Sequence, residues 1–478
     1  MDPILQAHAL RLGVYSLGDR LPLSIRDQMV RAHYLIERLL ENQIIKEHSS
    51  LLVVGAGLAG TTAAVLAARH GVNVLLIDSQ PSSFSVQSGC KSRWIDPVQY
   101  DWPALHFSAG RWPTKGPDPL VPFGFSAGYA SRLVKTWITQ LTMQRTLLDP
   151  NLKVWFESNL ADPPPTFNGS KVEASIDRKI PLPHVKEEFE AVILARGVIR
   201  ERTTAPLDHR DPKAGIFQGR AFWEEDDFQA TDLGISSPSA HVYISGSGDG
   251  ALQDFIRLVT GCDTAREVLE IALDATPSPG RGFKDILLRA ELCGSDEQCS
   301  RALFWSTETL ADHDILLRAH KAHWEIINNW ITRWSEQWDK TVDRLYKRTV
   351  RRHPERIHLV HSCNHFSACY PLNRFVTLVL ATYIEHKFNG SRPLIPMSVV
   401  RSVSPKMLGN TPSHACSKGC WDNEHTIGIE EGGVNCWDER TKPIGLVVPF
   451  EAQGVAVRHG IETHVNSRLP RDPLPFHL

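Results

Sequence analysis

The stretch LLVVGAGLAGTTAAVLAARHGVNVLLID, residues 51–78, decides the fold of this chain. Its first four residues form a short apolar run, which is typical of a parallel strand buried on both faces. A glycine-rich turn, a helix rich in small residues and a second apolar strand over 72–77 follow, and Asp78 ends the stretch. Strand, turn, helix, strand and acid in this order predict a dinucleotide-binding unit. The alternative is a glycine-rich turn in an unrelated α/β domain.

The glycines of the turn have separate tasks. Gly55, Gly57 and Gly60 stand in G-x-G-x-x-G order. The first permits the tight turn, the second lets the backbone approach a pyrophosphate, and the third lets the helix pack close to the strand. Asp78 lies where a carboxylate accepts a hydrogen bond from a ribose hydroxyl, with a solvated strand end as the alternative. Because its charge repels a 2′-phosphate, we expect the first site to take FAD or NAD rather than NADP.

The overall composition excludes several classes of protein. The chain has 478 residues, of which 42% are hydrophobic and 22% charged, with a net charge of −2. These values indicate a globular protein of two or three domains without a strong field for nucleic acid or anionic membrane. We see no secretory signal and no apolar run near the roughly 20 residues of a spanning helix. The nine cysteines are scattered along the chain, which favours free thiols over a disulfide framework. We expect a cytoplasmic protein with no membrane or nucleic-acid partner; the oligomeric state stays open.

Residues 1–200 divide into a preface and a first unit. Residues 1–46 are predicted as a helical preface, in which 25–45 form an amphipathic helix that packs on the body. A membrane-surface helix is the alternative, but its polar face mixes charges of both signs. Within the first unit, residues 47–200, the pattern over 166–194 predicts a small antiparallel meander that ends in a strand over 191–195.

A second glycine turn follows a short apolar strand over 241–245. Gly246, Gly248 and Asp249 belong to a G-x-G-x-x-A sequence that leads into a helix. The pattern predicts a second contact with a nucleotide or phosphate.

The second unit, residues 201–395, is interrupted. The strand expected about 20 residues after its turn is absent, and residues 262–353 read as mostly helical. We place the missing strand at 356–361, so that a helical insertion precedes it, and residues 396–478 read as β-rich. The predicted fold class is α/β: a Rossmann-like domain with a β-meander, then a second Rossmann-like domain that carries a helical insertion.

Two glycine turns with a meander and the strand VILARGV between them resemble a known family. It is the two-dinucleotide-binding-domain flavoproteins, a superfamily of FAD- and NAD(P)-dependent oxidoreductases and monooxygenases. In that group the first turn holds FAD, an ATG-like motif closes the FAD site, and the second turn holds NAD(P)H. Ala195, Arg196 and Gly197 stand where ATG would be. The resemblance implies FAD and NAD(P)H as cofactors and a small-molecule substrate, with reductase, oxidase and monooxygenase chemistry all open.

The resemblance also assigns the domains. It makes 47–200 an FAD-binding domain, 201–395 an NAD(P)-binding-like domain, and 396–478 a return to the FAD domain. The family's C-terminal Gly-Asp pair, which approaches the flavin side chain, is not evident. No C-x-x-C or C-x-x-x-x-C follows the 51–78 stretch, where Cys90 stands alone, so disulfide-reductase chemistry is not expected. These departures keep an alternative open: a non-catalytic nucleotide-binding or sensing protein that retains the fold.

Basic and aromatic residues that follow the 51–78 stretch are further candidates. Lys91 and Arg93 lie in a loop that can fold over the cofactor, and an arginine fork matches the oxygens of a pyrophosphate. A surface salt bridge is the alternative. The segment YDWP, residues 100–103, and His106 either line the flavin or substrate pocket or form a structural turn around a buried tryptophan.

The choice of electron donor depends on the residues around the interrupted strand. Ser362, Asn364 and His365 follow it, and none is the acid that usually binds the ribose of NADH; Arg351 and Arg352 are close. This favours NADPH over NADH. A basic helix end that faces water is the alternative for the arginines.

No metal site or catalytic acid and base is predicted. Cys416, Cys420 and Cys436 with His414 have an irregular spacing for zinc. No Ser-His-Asp or paired-carboxylate pattern stands out, so the catalytic residues are unknown.

Overall fold

The fold is defined over most of the chain. The computed structural model describes residues 2–18, 24–100, 102–103, 121–179, 184–197, 201–211, 213–226, 228, 241–275, 279–291, 310–334, 353–362, 366, 369–405, 425–431, 447–452 and 454–457. Its helices are α1 (Pro3–His8), α2 (Ile25–Glu41), α3 (Leu58–Arg69), α4 (Ser85–Ser88), α5 (Ala130–Leu147), α6 (Asp249–Thr260), α7 (Ala265–Ala275), α8 (Phe283–Glu291), α9 (Leu310–Trp334) and α10 (Pro371–Lys387).

The strands are short, as is usual in α/β proteins. They are β1 (Ala9–Arg11), β2 (Val14–Ser16), β3 (Ser50–Val54), β4 (Asn73–Ile77), β5 (Trp94–Ile95), β6 (Gly128–Tyr129), β7 (Leu152–Trp155), β8 (Ser158–Leu160), β9 (Thr166–Phe167), β10 (Val172–Arg178), β11 (His184–Phe189), β12 (Ala191–Leu194), β13 (Thr204–Pro206), β14 (Ile216–Gln218), β15 (Val242–Ser245), β16 (Ile357–Val360), β17 (Leu394–Ile395), β18 (Ser398–Pro405), β19 (His425–Glu431), β20 (Val447–Ala452) and β21 (Gly454–Val457).

The first sheet runs in the order β1-β2-β12-β3-β4-β7. From β2 to β7 all neighbours are parallel, and β1 is an antiparallel edge. Side chains alternate along β3, so that Leu51 and Val53 join the core shared with α2 and α3, while Leu52 and Val54 face the meander. Burial on both faces explains why this strand is continuously apolar. The predicted Rossmann-like first domain is confirmed.

Helix α2 is the predicted amphipathic helix, and it spans Ile25–Glu41. Ser24 begins it, because the Ser24 hydroxyl accepts a hydrogen bond of 3.0 Å from the Asp27 amide. Its apolar face, including Leu35, packs in the core shared with α3. Arg31 on the polar side is buried as well. Other elements therefore cover the helix, which disfavours the membrane-surface alternative.

The N-terminal segment differs from the predicted preface. Strand β2 pairs in parallel with β12 and so belongs to the first sheet. The predicted boundary after residue 46 therefore cuts through one folded unit. Three strand residues carry too little periodicity to be recognised from the sequence.

The meander is confirmed. Strands β8, β10 and β11 form an antiparallel sheet in the order β11-β10-β8, and β9 also pairs with β10. Its apolar side chains, such as Val172 and Ile176, pack against the face of the first sheet opposite α2 and α3. The meander thus leads directly into β12, which returns the chain to the sheet beside β3.

The second sheet runs in the order β17-β16-β15-β21, with all neighbours parallel. The pairing of β15 with β16 confirms the strand predicted at 356–361. Between them, the described part of 262–353 includes α7, α8 and α9, as the predicted helical insertion requires. These helices, with α6 and α10, cover one face of the sheet.

The C-terminal segment covers the second sheet. Strands β18, β19 and β20 form an antiparallel sheet that packs on its other face, and β21 joins the second sheet beside β15. The predicted return of residues 396–478 to the first domain is therefore not seen in the described part of the segment. No helix within the described ranges has the length and apolarity to cross a membrane.

Candidate functional site

The first glycine turn joins β3 to α3, at the carboxyl edge of the first sheet. The Gly55 amide donates to the Ile77 carbonyl at 2.7 Å, which ties the turn to β4. Gly55 has φ +110, and a Cβ there would overlap the Ala195 carbonyl; a Cβ at Gly60 would overlap the Gly55 carbonyl. These two glycines are therefore required by the packing of the turn itself.

The packing of the turn does not account for the glycine at position 57. Its φ of −74 and ψ of −177 are open to any residue. An added Cβ would meet nothing within 4 Å in the described chain. Packing thus gives no reason for glycine here, whereas a ligand backbone lying against the turn would. The geometry fits the close approach of a pyrophosphate that the motif predicts.

The start of α3 offers hydrogen-bond donors to an anion. Gly57 is its N-cap and provides no side-chain cap. Within the described ranges, the amides of Leu58 and Ala59 make no hydrogen bond, as expected for the first turn of a helix. The helix dipole adds positive potential at the same point, so a phosphate group is the matching ligand.

Asp78 lies beside this turn, at the end of β4. One carboxylate oxygen accepts a hydrogen bond from the Ala56 amide. The other accepts from the Gln80 amide at 2.7 Å. The structure thus brings the predicted ribose-binding acid next to the glycine turn; the ribose contact itself stays a prediction.

The VILARG segment ends against the same turn. The Ala195 amide donates to the Val54 carbonyl at 2.7 Å. Gly197 has φ +78, and no described atom would lie within 4 Å of an added Cβ. A side chain at position 197 would thus meet no described neighbour, and the place of Gly197 in the FAD site stays a prediction.

The N-terminal strand supplies a third wall that sequence reasoning missed. The Leu17 amide donates to the Leu194 carbonyl at 2.9 Å, and a Cβ at Gly18 would come within 2.9 Å of the Gly197 carbonyl oxygen. Gly18 precedes Asp19 in the sequence. A Gly-Asp pair thus follows β2 in the sequence, and Asp19 itself lies outside the described residues. The signal for this strand was present in VYSLGD, an apolar strand followed by Gly-Asp.

Arg93 has a different role from the predicted one. It is 2% exposed, and its guanidinium is bound by the carboxylates of Asp226 and Asp254. Its Nε donates to the Phe222 carbonyl at 2.8 Å. Burial alone would lower the pKa of Arg93, but the two carboxylates outweigh it and raise that pKa. The guanidinium is thus committed to a buried ion network, so the structure favours this over both the pyrophosphate contact and the surface salt bridge.

The ion network joins the two units. Asp254 and Arg257 lie on α6, the helix that the second glycine turn begins. Arg257 binds both oxygens of Asp226, at 2.7 and 2.9 Å, and donates to the Ser92 carbonyl at 2.9 Å. The pKa of Asp226 would rise through burial, but its two arginine partners lower it below the usual value. All of these charges are paired, which is the condition for burying them.

The two described aromatic residues of the YDWP segment are structural. Tyr100 is buried with its ring 5.3 Å from that of Tyr370, and Trp102 packs in the second core near Phe375. The structural-turn alternative is therefore favoured. The Lys91 side chain is exposed. Asp101 and His106 lie outside the described residues.

The second glycine turn joins β15 to α6. Gly246 has φ 147, its amide donates to the Val360 carbonyl at 2.9 Å, and Gly248 is the N-cap of α6. The Asp249 side chain turns away from the turn. It accepts hydrogen bonds from the Tyr370 amide at 2.9 Å and the Asn373 side chain at 2.7 Å. The structure thus gives the Asp249 side chain a helix-joining contact, and the nucleotide contact of this residue stays a prediction.

The environment of Asp249 changes its titration. Burial raises the pKa of its carboxyl to about 7, and the hydrogen bonds from Tyr370 and Asn373 offset part of the rise. A carboxylate at the junction of α6 and α10 therefore titrates near neutral pH.

Several predicted residues cannot be placed. Ser362 is buried after β16, whereas Asn364, His365, Arg351 and Arg352 lie outside the described residues, so the preference for NADPH stays a prediction. The cysteines and histidine weighed for zinc, at 414–436, also lie outside them. In the part of the chain that is described, no cluster of three or more metal-binding side chains occurs.

Comparisons with known proteins agree with the first unit. Residues 53–113 match a family described as the NAD(P)-binding Rossmann-like domain. No curated protein matches the chain. Solved structures that it resembles include ornithine N-hydroxylase of Kutzneria sp. 744, with 10% identity and a TM-score of 0.37, over 87% of this chain and 81% of that one. Another is the FAD-bound cadaverine monooxygenase of Erwinia amylovora, with 9% identity and a TM-score of 0.41, over 88% and 80%. A third is bacillithiol disulfide reductase of Staphylococcus aureus, with 10% identity and a TM-score of 0.38, over 88% and 78%. Similarity at this level assigns neither substrate nor reaction.

Proposed function

We propose that this chain is an FAD-dependent oxidoreductase that takes electrons from NAD(P)H and acts on a small molecule. The observation that carries the proposal is the first glycine turn, where Gly57 leaves open space beside the unpaired amides of α3. The match of residues 53–113 to an NAD(P)-binding Rossmann-like family supports a dinucleotide ligand.

The first site would hold FAD through groups of this chain alone. The amides at the start of α3, at Gly57 and Leu58, would donate to the pyrophosphate, and Asp78 would accept from a ribose hydroxyl. Gly197 leaves room at the neighbouring strand end. Bound FAD would supply electron transfer between donor and substrate. Asp78 disfavours NADP at this site, because a 2′-phosphate would lie against its carboxylate.

The second site would hold the donor. Gly246 and Gly248 begin α6 as Gly55 and Gly57 begin α3, so the start of α6 would receive the pyrophosphate of NAD(P)H. The buried network around Arg93 ties α6 to the loop that carries Arg93. It would keep the two turns in one arrangement, which electron transfer between the two nucleotides requires.

The proposal is tested by identifying what the purified protein carries. Heat-denatured protein should release FAD in nearly one-to-one ratio, identified by chromatography against FAD, FMN and NAD standards. Apo-protein prepared at low pH and high salt should recover FAD but not FMN, because only FAD presents a pyrophosphate to the turn. Protein that neither retains nor rebinds any dinucleotide would contradict the proposal.

A further inference from the structure

The loop after β4 touches the first glycine turn through one backbone bond. The Phe84 amide donates to the Ala56 carbonyl at 3.0 Å. Phe84 adopts φ 59 and ψ 32, the left-handed region that bulky side chains seldom occupy. A strained backbone of this kind persists only where its surroundings enforce it.

The aromatic ring provides that enforcement. Phe84 is 1% exposed, and its ring centroid lies 5.7 Å from those of Phe123 and of Trp137. The ring is therefore anchored in the core under α5, while the amide of the same residue reaches the glycine turn.

The contact fixes the orientation of one peptide group. In a trans peptide the carbonyl and the following N–H point in opposite directions. Because the Ala56 carbonyl points to Phe84, the Gly57 N–H points away from Phe84. The Ala56 N–H is held by Asp78, and the Gly57 carbonyl accepts from the Thr61 amide at 2.9 Å. The N–H groups of Gly57 and Leu58 are left for a ligand.

We propose that Phe84 is a positioning residue for the first nucleotide site, which uses its left-handed backbone to aim the Gly57 N–H at a pyrophosphate. This inference rests on the proposed function, since it concerns the same site. It adds a residue outside the glycine motif and the acid, and it explains why a strained phenylalanine stands beside the turn.

The test compares two substitutions that both remove the ring but differ in whether they adopt the left-handed backbone. Phe84→Ala loses the ring and disfavours the left-handed backbone, so the amide should leave Ala56. Phe84→Gly also loses the ring but adopts that backbone without strain. We expect Phe84→Ala to weaken FAD binding about fivefold, the worth of one backbone hydrogen bond, and Phe84→Gly to bind FAD more tightly than Phe84→Ala.

The control is Leu141→Ala, which removes a buried side chain of α5 in the same core. FAD dissociation constants are measured by fluorescence quenching at a temperature where all variants are folded, and melting temperatures are measured without FAD. The inference predicts wild-type affinity in Leu141→Ala and a higher affinity in Phe84→Gly than in Phe84→Ala. If Phe84→Gly binds no better than Phe84→Ala, or if Phe84→Ala binds FAD as the control does, the inference is overturned. If the wild-type protein binds no FAD, the proposed function fails instead.

Discussion

Replacing Gly57 by valine should remove the nucleotide and spare the fold. The backbone at Gly57 is one that valine adopts, and no described atom lies within 4 Å of its Cβ position. We therefore expect the unfolding free energy of the apo-protein to change by about 1 kcal/mol or less. The new side chain would occupy the space of the pyrophosphate. Losing two hydrogen bonds to a charged group, from Gly57 and Leu58, costs about 3–6 kcal/mol, or roughly 150- to 25,000-fold in affinity.

Flavin content after gel filtration and urea unfolding of the apo-protein measure the two effects separately. Gly124→Val is the matched control, because a Cβ at Gly124 also meets nothing within 4 Å; it should keep both flavin and stability. Gly60→Val should instead disrupt the fold, because its side chain overlaps the Gly55 carbonyl. This variant should not yield folded protein. A Gly57→Val protein with full flavin content would refute the reasoning.

Three further substitutions probe the acid, the ion network and the helix junction. Asp78→Ala should weaken FAD by about 1.5–3 kcal/mol, the scale of a hydrogen bond to a charged group; unchanged affinity in a titration of apo-protein would make Asp78 a plain strand end. Arg93→Met removes the buried cation shared by Asp254 and Asp226, of which Asp226 keeps Arg257, and should lower the unfolding free energy by about 3–5 kcal/mol, whereas weaker FAD binding at unchanged stability would restore the pyrophosphate role. Burial raises the Asp249 pKa from its ordinary 3.8 to about 7, so the folded state holds a proton that the unfolded chain releases, and stability falls as pH rises between those values, by about 4 kcal/mol at most. Asp249→Asn should remove that fall. Urea unfolding at several pH values measures it, and equal pH dependence of the unfolding free energy in the wild-type protein and in Asp249→Asn would show that the carboxyl does not titrate there.

The parts of the fold that the sequence predicts are those with local signals. Residues 51–78 hold a complete strand, turn, helix and strand, so their pattern alone predicts the first unit. The interrupted strand was also predictable, because β16 keeps its apolar run after the long helical insertion. Periodicity and turn residues are properties of neighbouring residues in the chain, and they are enough to predict these strands and helices.

The parts that the sequence does not predict depend on distant residues. Arg93 pairs with Asp254, 161 residues away in the chain, and nothing in either neighbourhood indicates the other. Strand β2 has only three residues, and its place beside β12 follows from the packing of the whole sheet.

The predicted site also has residues that local sequence predicts and contacts that it does not. Gly55, Gly57, Gly60 and Asp78 come together because they lie in one supersecondary unit, and each was identified from its spacing. The side chain of Asp249 turns towards Tyr370 and Asn373, a contact between two helices far apart in sequence. Position in a motif thus predicted where its backbone lies but not where its carboxylate points.

The most direct test of the account is the reduction of the bound flavin by a nicotinamide nucleotide. Purified protein should be yellow, with the two visible absorbance bands of a flavin. Mixed anaerobically with NADPH in a stopped-flow instrument, it should lose the longer-wavelength band, and it should do so faster than with NADH. Gly248→Val should slow the reaction with both nucleotides and leave the flavin bound. Faster bleaching by NADH would contradict the predicted donor preference. Flavin-loaded protein that neither nucleotide bleaches would contradict the central claim that this chain is an NAD(P)H-dependent flavoenzyme.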